Sequence, residues 1–409
     1  MTASGALSDI RIIDLTQMLA GPYATMMLAD HGADVIKIEP PEGDQVRPVG
    51  PFRAADAKKT LGGYFQSINR NKRSVCLDLK KPEGRAALLK LVTGADAIVE
   101  NYRVGVMERL GLGYEVLHQA NPRLVYAALR GFGDERSGAS PYGSWPAYDV
   151  VAQAMGGVMA ITGPDAATPM KIGPGLGDIV PGMMLAFGIL AAVHHARRTG
   201  EGQFVDIAMV DAVLALCERT VYQHSVQGLT PGPEGNHHPF LVPFGIYPAA
   251  DGFIALAAHQ QGFFGTLCRA LGAEDILAEP RYANSECRVE HRATLIEALS
   301  KYTVRFTKAE LTTRLGGVLP FGPVMNIADI TRDPHYAARE MIVSVEQPGD
   351  EPIRIVGVPI KMTGTPGGVR RRAPLLGEDT RSRLHQAGLS DSEIDELLAK
   401  RAAFATNNS

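Results

Sequence analysis

The stretch IRIIDLTQMLAGPYATMMLADHGADVIKIEPP, residues 10–41, decides the fold of this chain. IRIIDL (10–15) has the short apolar run of a strand, and AGPYATMMLADHG (20–32) predicts a helix that ends at Gly32. DVIKIEPP (34–41) predicts a second strand that the prolines end. Such a strand–helix–strand unit favours parallel strands, because parallel neighbours need a crossover connection.

The same alternation continues along the next part of the chain. SVCLDL (74–79), DAIVENY (96–102) and part of RLVYAALRGFG (123–133) predict strands, and PEGRAALLKLVTGA (82–95) predicts a helix. No GxGxxG motif follows the first strand, which argues against a typical dinucleotide site. The sequence therefore predicts an α/β domain with a parallel sheet.

The second half of the chain changes character. VDIAMVDAVLALCERTVYQHSVQ (205–227) has the apolar spacing of a long helix, and FGIYPAADGFIALAA (244–258) predicts a hairpin around a D-G turn. Helical patterns fill 261–315. EPIRIVGVPIKM (351–362) is strand-like, and SDSEIDELLAKRAAF (390–404) predicts a closing helix.

We therefore divide the chain into four parts. A large α/β domain covers 1–200, a linker helix 201–225 and a small domain 226–325, and 326–409 returns to complete the large domain.

Composition excludes several classes of function. The net charge of −3 gives no general attraction to nucleic acid or to a membrane surface. The apolar stretch from Ile179 to Val193 is too short to span a bilayer, and no signal peptide precedes the first strand. Four cysteines without CxxC spacing argue against disulfides and a zinc ribbon. We expect a cytoplasmic protein.

GPGLGDIVPG (173–182) places a single carboxylate, Asp178, among four glycines and two prolines. Asp178 is either an ordinary helix cap or an acid that contacts a ligand. Pro181 suits the first helical position, which makes Val180 the cap and leaves Asp178 just outside the helix. The glycines would let a ligand approach closely, and the helix N-terminus would stabilise negative charge.

Other candidate residues have equally plain alternatives. Tyr148 is either a core tyrosine or a site residue. The basic segment around Lys72 and Lys80 suits phosphate groups or a solvated face. The histidines occur as adjacent pairs, which point apart on a helix or strand, and there is no HExxH or GxSxG motif. We therefore expect neither a metal site nor a serine nucleophile.

Several segments resemble the family III CoA-transferases, the formyl-CoA transferase and carnitine CoA-transferase type. They occur in family order across nearly the whole chain, and the ordered set is far more specific than any one of them. They are DLTQMLAGPYATMMLADHGADVIKIEPPEGD (14–44), NRNKRSVCLDLKKPEG (69–84), ADAIVENYRVGVMERLGLGYEVL (95–117), NPRLVYAALRGFG (121–133), AYDVVAQAMGG (147–157), GDIVPG (177–182), GEGQFVDIAMVDA (200–212) and APLLGEDT (373–380).

The resemblance implies a nucleophile and a mechanism. The family's nucleophilic aspartate, in a Gly-Asp turn before an apolar helix, falls at Asp178, and Tyr148 matches the tyrosine beside it. Asp178 would attack an acyl-CoA carbonyl to give a mixed anhydride and then an aspartyl-CoA thioester, from which an acceptor acid takes the CoA. No metal or other cofactor is implied, because coenzyme A is itself the substrate and carrier.

The resemblance also implies where CoA lies. Met18 and Leu19 match positions near the pantetheine arm. Leu77, Leu79 and Lys80 match residues around the adenine and phosphates, and Asn101, Tyr102 and Arg109 match further CoA contacts. Leu19 replaces a glutamine of the formyl-CoA:oxalate enzymes, which argues against oxalate as a substrate, and Pro40 replaces an arginine near the adenine.

The acid substrate is predicted from polar and cationic residues. Arg47, His237, His238 and Gln260 suit the far carboxylate of a dicarboxylic acid, such as succinate or a C4 or C5 acceptor. The alternative is that they only decorate the surface.

Two rival functions stay open. The α-methylacyl-CoA racemases of the same superfamily carry a catalytic histidine at the position of Tyr148. Tyrosine is a poor base at neutral pH, so we favour CoA transfer. The third alternative is a non-catalytic CoA-binding protein, which the intact turn around Asp178 argues against.

The resemblance implies the architecture as well. It is an α/β fold with a Rossmann-like large domain, a parallel sheet and a smaller α+β domain. Two such subunits form an interlocked homodimer, in which the small domain of one subunit contributes to the site of the other.

Overall fold

A seven-stranded sheet organises most of the chain in the computed structural model, which describes residues 5–53, 56, 59, 62–348 and 350–406. The chain forms two units. The first contains the described residues of Met1–Val158, Lys171–Gly228 and His335–Ser409, and the second contains Met159–Met170 and Leu229–Pro334.

The large sheet is parallel except at one edge. Its spatial order is β12-β3-β2-β1-β4-β5-β6, and only β12 runs antiparallel to its neighbour. The strands are β1 (Arg11–Asp14), β2 (Asp34–Glu39), β3 (Arg73–Leu77), β4 (Ala97–Glu100), β5 (Val125–Arg130), β6 (Phe204–Ala208) and β12 (Ala403–Phe404). The predicted parallel sheet is confirmed, and its first six strands have the order of a Rossmann fold.

Helices surround this sheet. The helices wholly or mainly in the first unit are α1 (Ala20–Asp30), α2 (Gly63–Asn69), α3 (Pro82–Thr93), α4 (Val106–Arg109), α5 (Tyr114–Ala120), α6 (Asp149–Met155), α7 (Leu176–Thr199), α8 (Met209–Leu216), α9 (Glu218–Gln227), α16 (Pro334–Ala338), α17 (Thr380–Gln386) and α18 (Asp391–Ala399). An antiparallel pair, β10 (Ile342–Gln347) and β11 (Asp350–Val356), completes the unit.

The second unit has its own small antiparallel sheet and its own core. The predicted hairpin is confirmed as β7 (Phe244–Ala249) and β8 (Gly252–Ala257), and β9 (Phe321–Pro323) pairs with β8. Its core includes Tyr247 and Phe264. Its helices are α10 (Gln261–Leu271), α11 (Glu274–Ala278), α12 (Ser285–Glu290), α13 (Arg292–Thr303), α14 (Lys308–Leu315) and α15 (Ile327–Ile330), with 3-10 turns at Val158–Ile161 and Pro280–Tyr282.

The long helix predicted over 205–227 is wrong at its start, and so is the linker helix over 201–225. Phe204–Ala208 is β6, an edge strand that pairs in parallel with β5. The helical part begins at Met209 and is interrupted at Cys217. No glycine or proline separates the strand from the helix, so the apolar pattern continues through the boundary without a signal.

The helix after Asp178 also begins earlier than predicted. α7 starts at Leu176, so Asp178 lies in its first turn and Pro181 lies inside the helix. Within the described residues, α7 is the one helix long and apolar enough to cross a membrane. Half of its most apolar window is buried inside the protein, which is also typical of a core helix.

Candidate active site

The site lies where the order of the sheet reverses. The chain leaves β1 toward β2 on one side and returns to β4 on the other, so a crevice opens at the carboxyl ends of these two neighbouring strands. Gln17 follows β1 and Asn101 follows β4. The Gln17 N–H donates to Asn101 Oδ1 at 2.9 Å, and Asn101 Nδ2 donates to the Gln17 carbonyl at 2.7 Å.

Buried charged side chains fix the loop after β1 by hydrogen bonds. The Asp14 carboxylate accepts hydrogen bonds from the Thr16 N–H at 2.9 Å and from Lys72 Nζ at 3.0 Å, and Lys37 Nζ donates to the Thr16 carbonyl at 2.6 Å. Both lysines are fully buried. Lys72, one of the basic residues noted in the sequence, is therefore neither a phosphate ligand nor part of a solvated face.

A cavity of about 310 Å³ opens above this loop and brings several predicted residues together. Met18, Asn101, Tyr102, Tyr148 and Asp178 all line it. They come from the loops after β1 and β4, from the start of α6 and from the first turn of α7. Residues more than 150 positions apart in the sequence therefore share one wall.

Asp178 is a perturbed carboxylate. Burial, together with the neighbouring charge of Asp149, raises its pKa from 3.8 to about 7. Glycines let the turn pack so tightly, because a Cβ at Gly177 would lie 2.6 Å from the Asp149 carbonyl oxygen and one at Gly175 would lie 3.0 Å from Leu19 Cδ2. The acid is thus held on the cavity wall in an environment that disfavours its charge.

One tyrosine lines the same cavity as this carboxylate, and a second interacts with its charge. Tyr148 is the N-cap residue of α6, and its side chain is 58% exposed, so it is not a core tyrosine. Tyr64, in α2, was not predicted. Burial and then the charge of Asp178 raise the pKa of Tyr64 to about 12, which keeps its hydroxyl protonated. No local motif marks Tyr64, which does not line the cavity, because only the packing of α2 brings it near Asp178.

A second cavity, of about 350 Å³, continues from the first. Gln17 and Tyr102 line both cavities. The second is also lined by the predicted CoA residues Leu77, Leu79, Lys80 and Arg109, and by Pro40. Lys80 and Arg109 are exposed, and neither has an acidic partner among the described residues. Leu19 lines neither cavity and instead packs near Gly175.

The predicted role of Arg47 in holding an acid substrate is corrected by its contacts. Its side chain is buried and bonds Glu39 with two nitrogens, Nε at 2.6 Å and Nη2 at 2.7 Å. Its guanidinium also stacks 3.8 Å from the ring centre of Phe65. All of this fixes Arg47 within the fold, so it serves structure and not substrate binding.

His237, His238 and Gln260 lie in the second unit. Burial lowers the pKa of His237, so its ring is neutral at pH 7. His238 Nδ1 accepts the N–H groups of Phe240 and Leu241, both at 3.1 Å, so this nitrogen is used within its own loop. Gln260, the N-cap residue of α10, is exposed.

Two cations that the sequence did not single out line the first cavity. Arg130 is occupied, because it pairs with Glu100 at 2.6 Å and with Asp134. Arg103 is exposed, with no acidic partner among the described residues. Its position directly after Tyr102 was the only available signal.

Comparison with known proteins gives one family. The pattern of CoA-transferase family III matches residues 7–380. A succinyl-CoA:mesaconate CoA-transferase from Haloarcula hispanica is 49% identical over 94% of this chain and 97% of its own. A succinate–glutarate CoA-transferase from Agrobacterium fabrum is 39% identical over 91% of this chain and 93% of its own.

A solved structure gives the same result. The CAIB/BAIF family protein from Brucella suis superposes with a TM-score of 0.84 at 32% identity, covering 94% of this chain and all of that one. The strand order, the crevice at the switch point and the matches over nearly the full length agree. The chain belongs to CoA-transferase family III and is a CoA-transferase.

Proposed function

We propose that this protein moves CoA from a dicarboxylic acyl-CoA thioester to a second dicarboxylic acid, with Asp178 as the nucleophile. The observation that carries the proposal is the position of Asp178 on the wall of the switch-point cavity, which Tyr148 also lines. The similar proteins named above act on succinyl-CoA with mesaconate and on succinate with glutarate, which supports dicarboxylates as the substrate class.

The proposed reaction exchanges one acyl bond for another at every step. An oxygen of the Asp178 carboxylate attacks the thioester carbonyl, the C–S bond breaks and CoA leaves as a thiolate. The thiolate attacks Cγ of Asp178, the anhydride C–O bond breaks and the donor acid leaves as a carboxylate. The acceptor carboxylate then reverses these steps. These reaction steps need no oxidant, metal or net proton transfer, and coenzyme A is the only carrier.

The surrounding residues have separate roles in this proposal. The hydroxyls of Tyr148 and Tyr64 donate to the oxyanions that form at the attacked carbonyls, where preorganised donors are most effective. The pantetheine arm passes Met18, Asn101 and Tyr102, the residues around the junction of the two cavities. Partial burial keeps water from the anhydride and the thioester.

The charged groups of the two substrates are held by two sets of cations. Lys80 and Arg109 bind the phosphates of CoA at the second cavity. Arg103, on the wall of the first cavity, pairs with the far carboxylate of the acid.

We also propose that the protein works as a homodimer. Large apolar side chains are exposed on three helices of the first unit, including Phe187 on α7 at 76% and Val226 on α9 at 79%. Leu214 on α8 is 49% exposed. Apolar surface of this kind on consecutive helices is typical of an interface.

The test is intact-protein mass spectrometry after mixing with succinyl-CoA. We expect an adduct of the mass of CoA less water, which hydroxylamine removes and which Asp178→Ala does not form. Asp211→Asn, an exposed carboxylate on α8, is the matched control and should form the adduct.

A parallel assay follows α-deuterium exchange into 2-methylacyl-CoA. Exchange without any adduct would overturn the proposal in favour of racemisation. CoA binding with neither adduct nor exchange would indicate a binding protein.

A further inference from the structure

We propose, on the basis of the function proposed above, that Asp149 is a positioning residue for Asp178. It fixes the turn that carries the nucleophile, and its negative charge favours the covalent states of Asp178 over the free carboxylate.

Asp149 ties the turn to α6 by hydrogen bonds. Its Oδ1 accepts the Gly177 N–H at 2.7 Å and Gln153 Nε2 at 2.9 Å, and its Oδ2 accepts the same Nε2 at 3.0 Å. Gln153 is fully buried, and its Oε1 accepts the Ile172 N–H at 2.8 Å. The segment from Ile172 to Asp178 is thus anchored at both ends to one helix.

Asp149 lies close enough to Asp178 for its charge to affect the Asp178 carboxylate. A Cβ at Gly177 would lie 3.1 Å from Asp149 Oδ1 as well as 2.6 Å from its carbonyl oxygen, so no side chain separates the two acidic groups there. Among the described residues, the hydrogen-bond donors to the Asp149 carboxylate are an amide side chain and a backbone N–H, and no cation pairs with it. Its negative charge is therefore not neutralised locally.

Other ionisable groups around Asp178 do not cancel this effect. Tyr64 from α2 and Tyr148 from α6 are neutral donors. Arg130, which also lines the cavity, is neutralised by its two carboxylate partners. Arg103 is the other cation among the described residues that line the cavity, and the proposed function assigns it to the acid substrate. Lys171, directly before the anchored segment, donates to the carbonyls of the two residues that follow it, at 3.3 and 3.2 Å.

The chemical consequence concerns the intermediates. In the free enzyme two carboxylates repel each other. When Asp178 becomes a neutral thioester, its charge leaves the site on the departing donor carboxylate, and the repulsion disappears. Asp149 therefore makes acylation more favourable than it would be beside a neutral residue.

The experiment compares wild type, Asp149→Asn and Asp149→Glu, with Asp211→Asn as the control. Asparagine keeps an oxygen for the Gly177 N–H and removes the charge, and glutamate keeps the charge. We measure the fraction of CoA adduct at equilibrium with fixed succinyl-CoA and succinate, and the rate of adduct formation from pH 5 to 9. A thermal melt of each variant establishes that it is folded.

We expect the rate of adduct formation in wild type to rise with pH and level off above the Asp178 pKa of about 7. In Asp149→Asn the rising part of this pH profile, its acid limb, should move to lower pH by about one unit. The ratio of CoA adduct to free enzyme should fall roughly tenfold. Both effects have the size commonly caused by one neighbouring charge. Asp149→Glu should restore the limb, and Asp211→Asn should match wild type.

The failures are distinguishable. Absence of an adduct in wild type would reject the proposed function and, with it, the role of Asp149. A wild-type adduct with the same limb and the same adduct fraction in folded Asp149→Asn would overturn the role of Asp149 alone. If the asparagine variant does not fold, Asp149→Ser, which also removes the charge and keeps an oxygen acceptor, gives the same comparison.

Discussion

At the scale of single residues, the proposed role of Asp178 combines two opposed requirements. As a nucleophile it would have to be ionised, whereas burial beside Asp149 favours the neutral form and raises its pKa to about 7. The protein therefore holds this carboxylate at a cost in stability, as is common for residues placed for chemistry.

Because of this cost, we predict that replacing Asp178 by a neutral residue raises the free energy of unfolding, by an amount that depends on pH. The unfolded chain ionises near 3.8 and the folded chain near 7, so between these values the folded state binds the extra proton. The favourable contribution of the protonated group is full below the lower value and is lost as pH rises through the upper one. Asp178→Asn should raise the free energy of unfolding by about 2–4 kcal/mol at pH 8.

Denaturant melts at pH 8 and pH 5 test this expectation. The gain should shrink at pH 5, and Asp211→Asn should show no such pH dependence. An unchanged stability at both pH values would mean that the folded environment does not disfavour the charge.

A second residue-scale prediction concerns Arg47. Arg47→Ala leaves Glu39 buried without its cation and should destabilise the fold by about 3–5 kcal/mol. The KM for the acceptor acid should stay within twofold, because Arg47 does not face the cavity. Arg339→Ala, at an exposed position, is the control and should change neither. A raised KM with unchanged stability would restore Arg47 to the substrate site.

The sequence singled out those cavity residues that lie in recognisable segments. Asp178 stands out because one charge lies among glycines, and Tyr148 precedes an apolar helix. The sequence did not point to the roles that we propose for Tyr64, Arg103 and Asp149. Each depends on which helix or loop packs beside Asp178, and the local pattern of residues does not contain that information.

At the scale of elements, the close packing of α1 against α7 positions the site. Gly182 allows the two helices to approach closely, because a Cβ at this position would lie 2.5 Å from the Ala20 carbonyl oxygen. The loop with Met18 immediately precedes α1, and Asp178 lies in the first turn of α7. Their separation is therefore set by this helix pair.

Gly182→Ala should separate the two helices. We expect a loss of about 1–3 kcal/mol in stability from overpacking and a lower kcat, because Asp178 moves relative to the bound thioester. Gly262→Ala in α10 meets nothing within 4 Å and should be neutral or slightly stabilising. Full activity in Gly182→Ala, measured beside its melt, would show that the spacing is not critical.

The sequence predicted most elements of the first unit but not β6. Buried parallel strands such as β1 and β2 are short apolar runs between turn residues, and these are readable. β6 passes directly into α8, and the apolar residues of both join into one helical pattern. Pro181 misled in a similar way, since the hydrogen bond from Gly177 to Asp149 lets the helix begin before the proline.

At the scale of the whole molecule, the exposed apolar side chains on α7–α9 lead to the homodimer prediction. Phe187→Glu should shift the protein toward monomer in sedimentation velocity at micromolar concentration, because a buried charge without a partner disfavours association. Val116→Glu on α5, where the native side chain is 43% exposed, is the control and should leave the assembly unchanged. A wild-type monomer would reject the proposal outright.

The overall α/β class followed from the order of strands and helices, because right-handed crossovers leave few arrangements for such a chain. The late return of the chain into the first sheet did not follow from that order. β12 is only two residues long, and its pairing with β3 depends on contacts between positions more than 300 residues apart.

That returning end has a consequence for how the protein is made. Besides the β12 pairing, Thr380 Oγ1 accepts the Cys76 N–H at 3.0 Å, and the Asp379 carboxylate accepts the Ser74 N–H at 3.0 Å. These partners of β3 lie about 300 positions after it in the sequence, so they are synthesised much later than the strand itself. The second unit, encoded in the interval, can complete its own core first, while this edge of the large sheet stays unpaired on the nascent chain until the segment from Asp379 to Phe404 has been made.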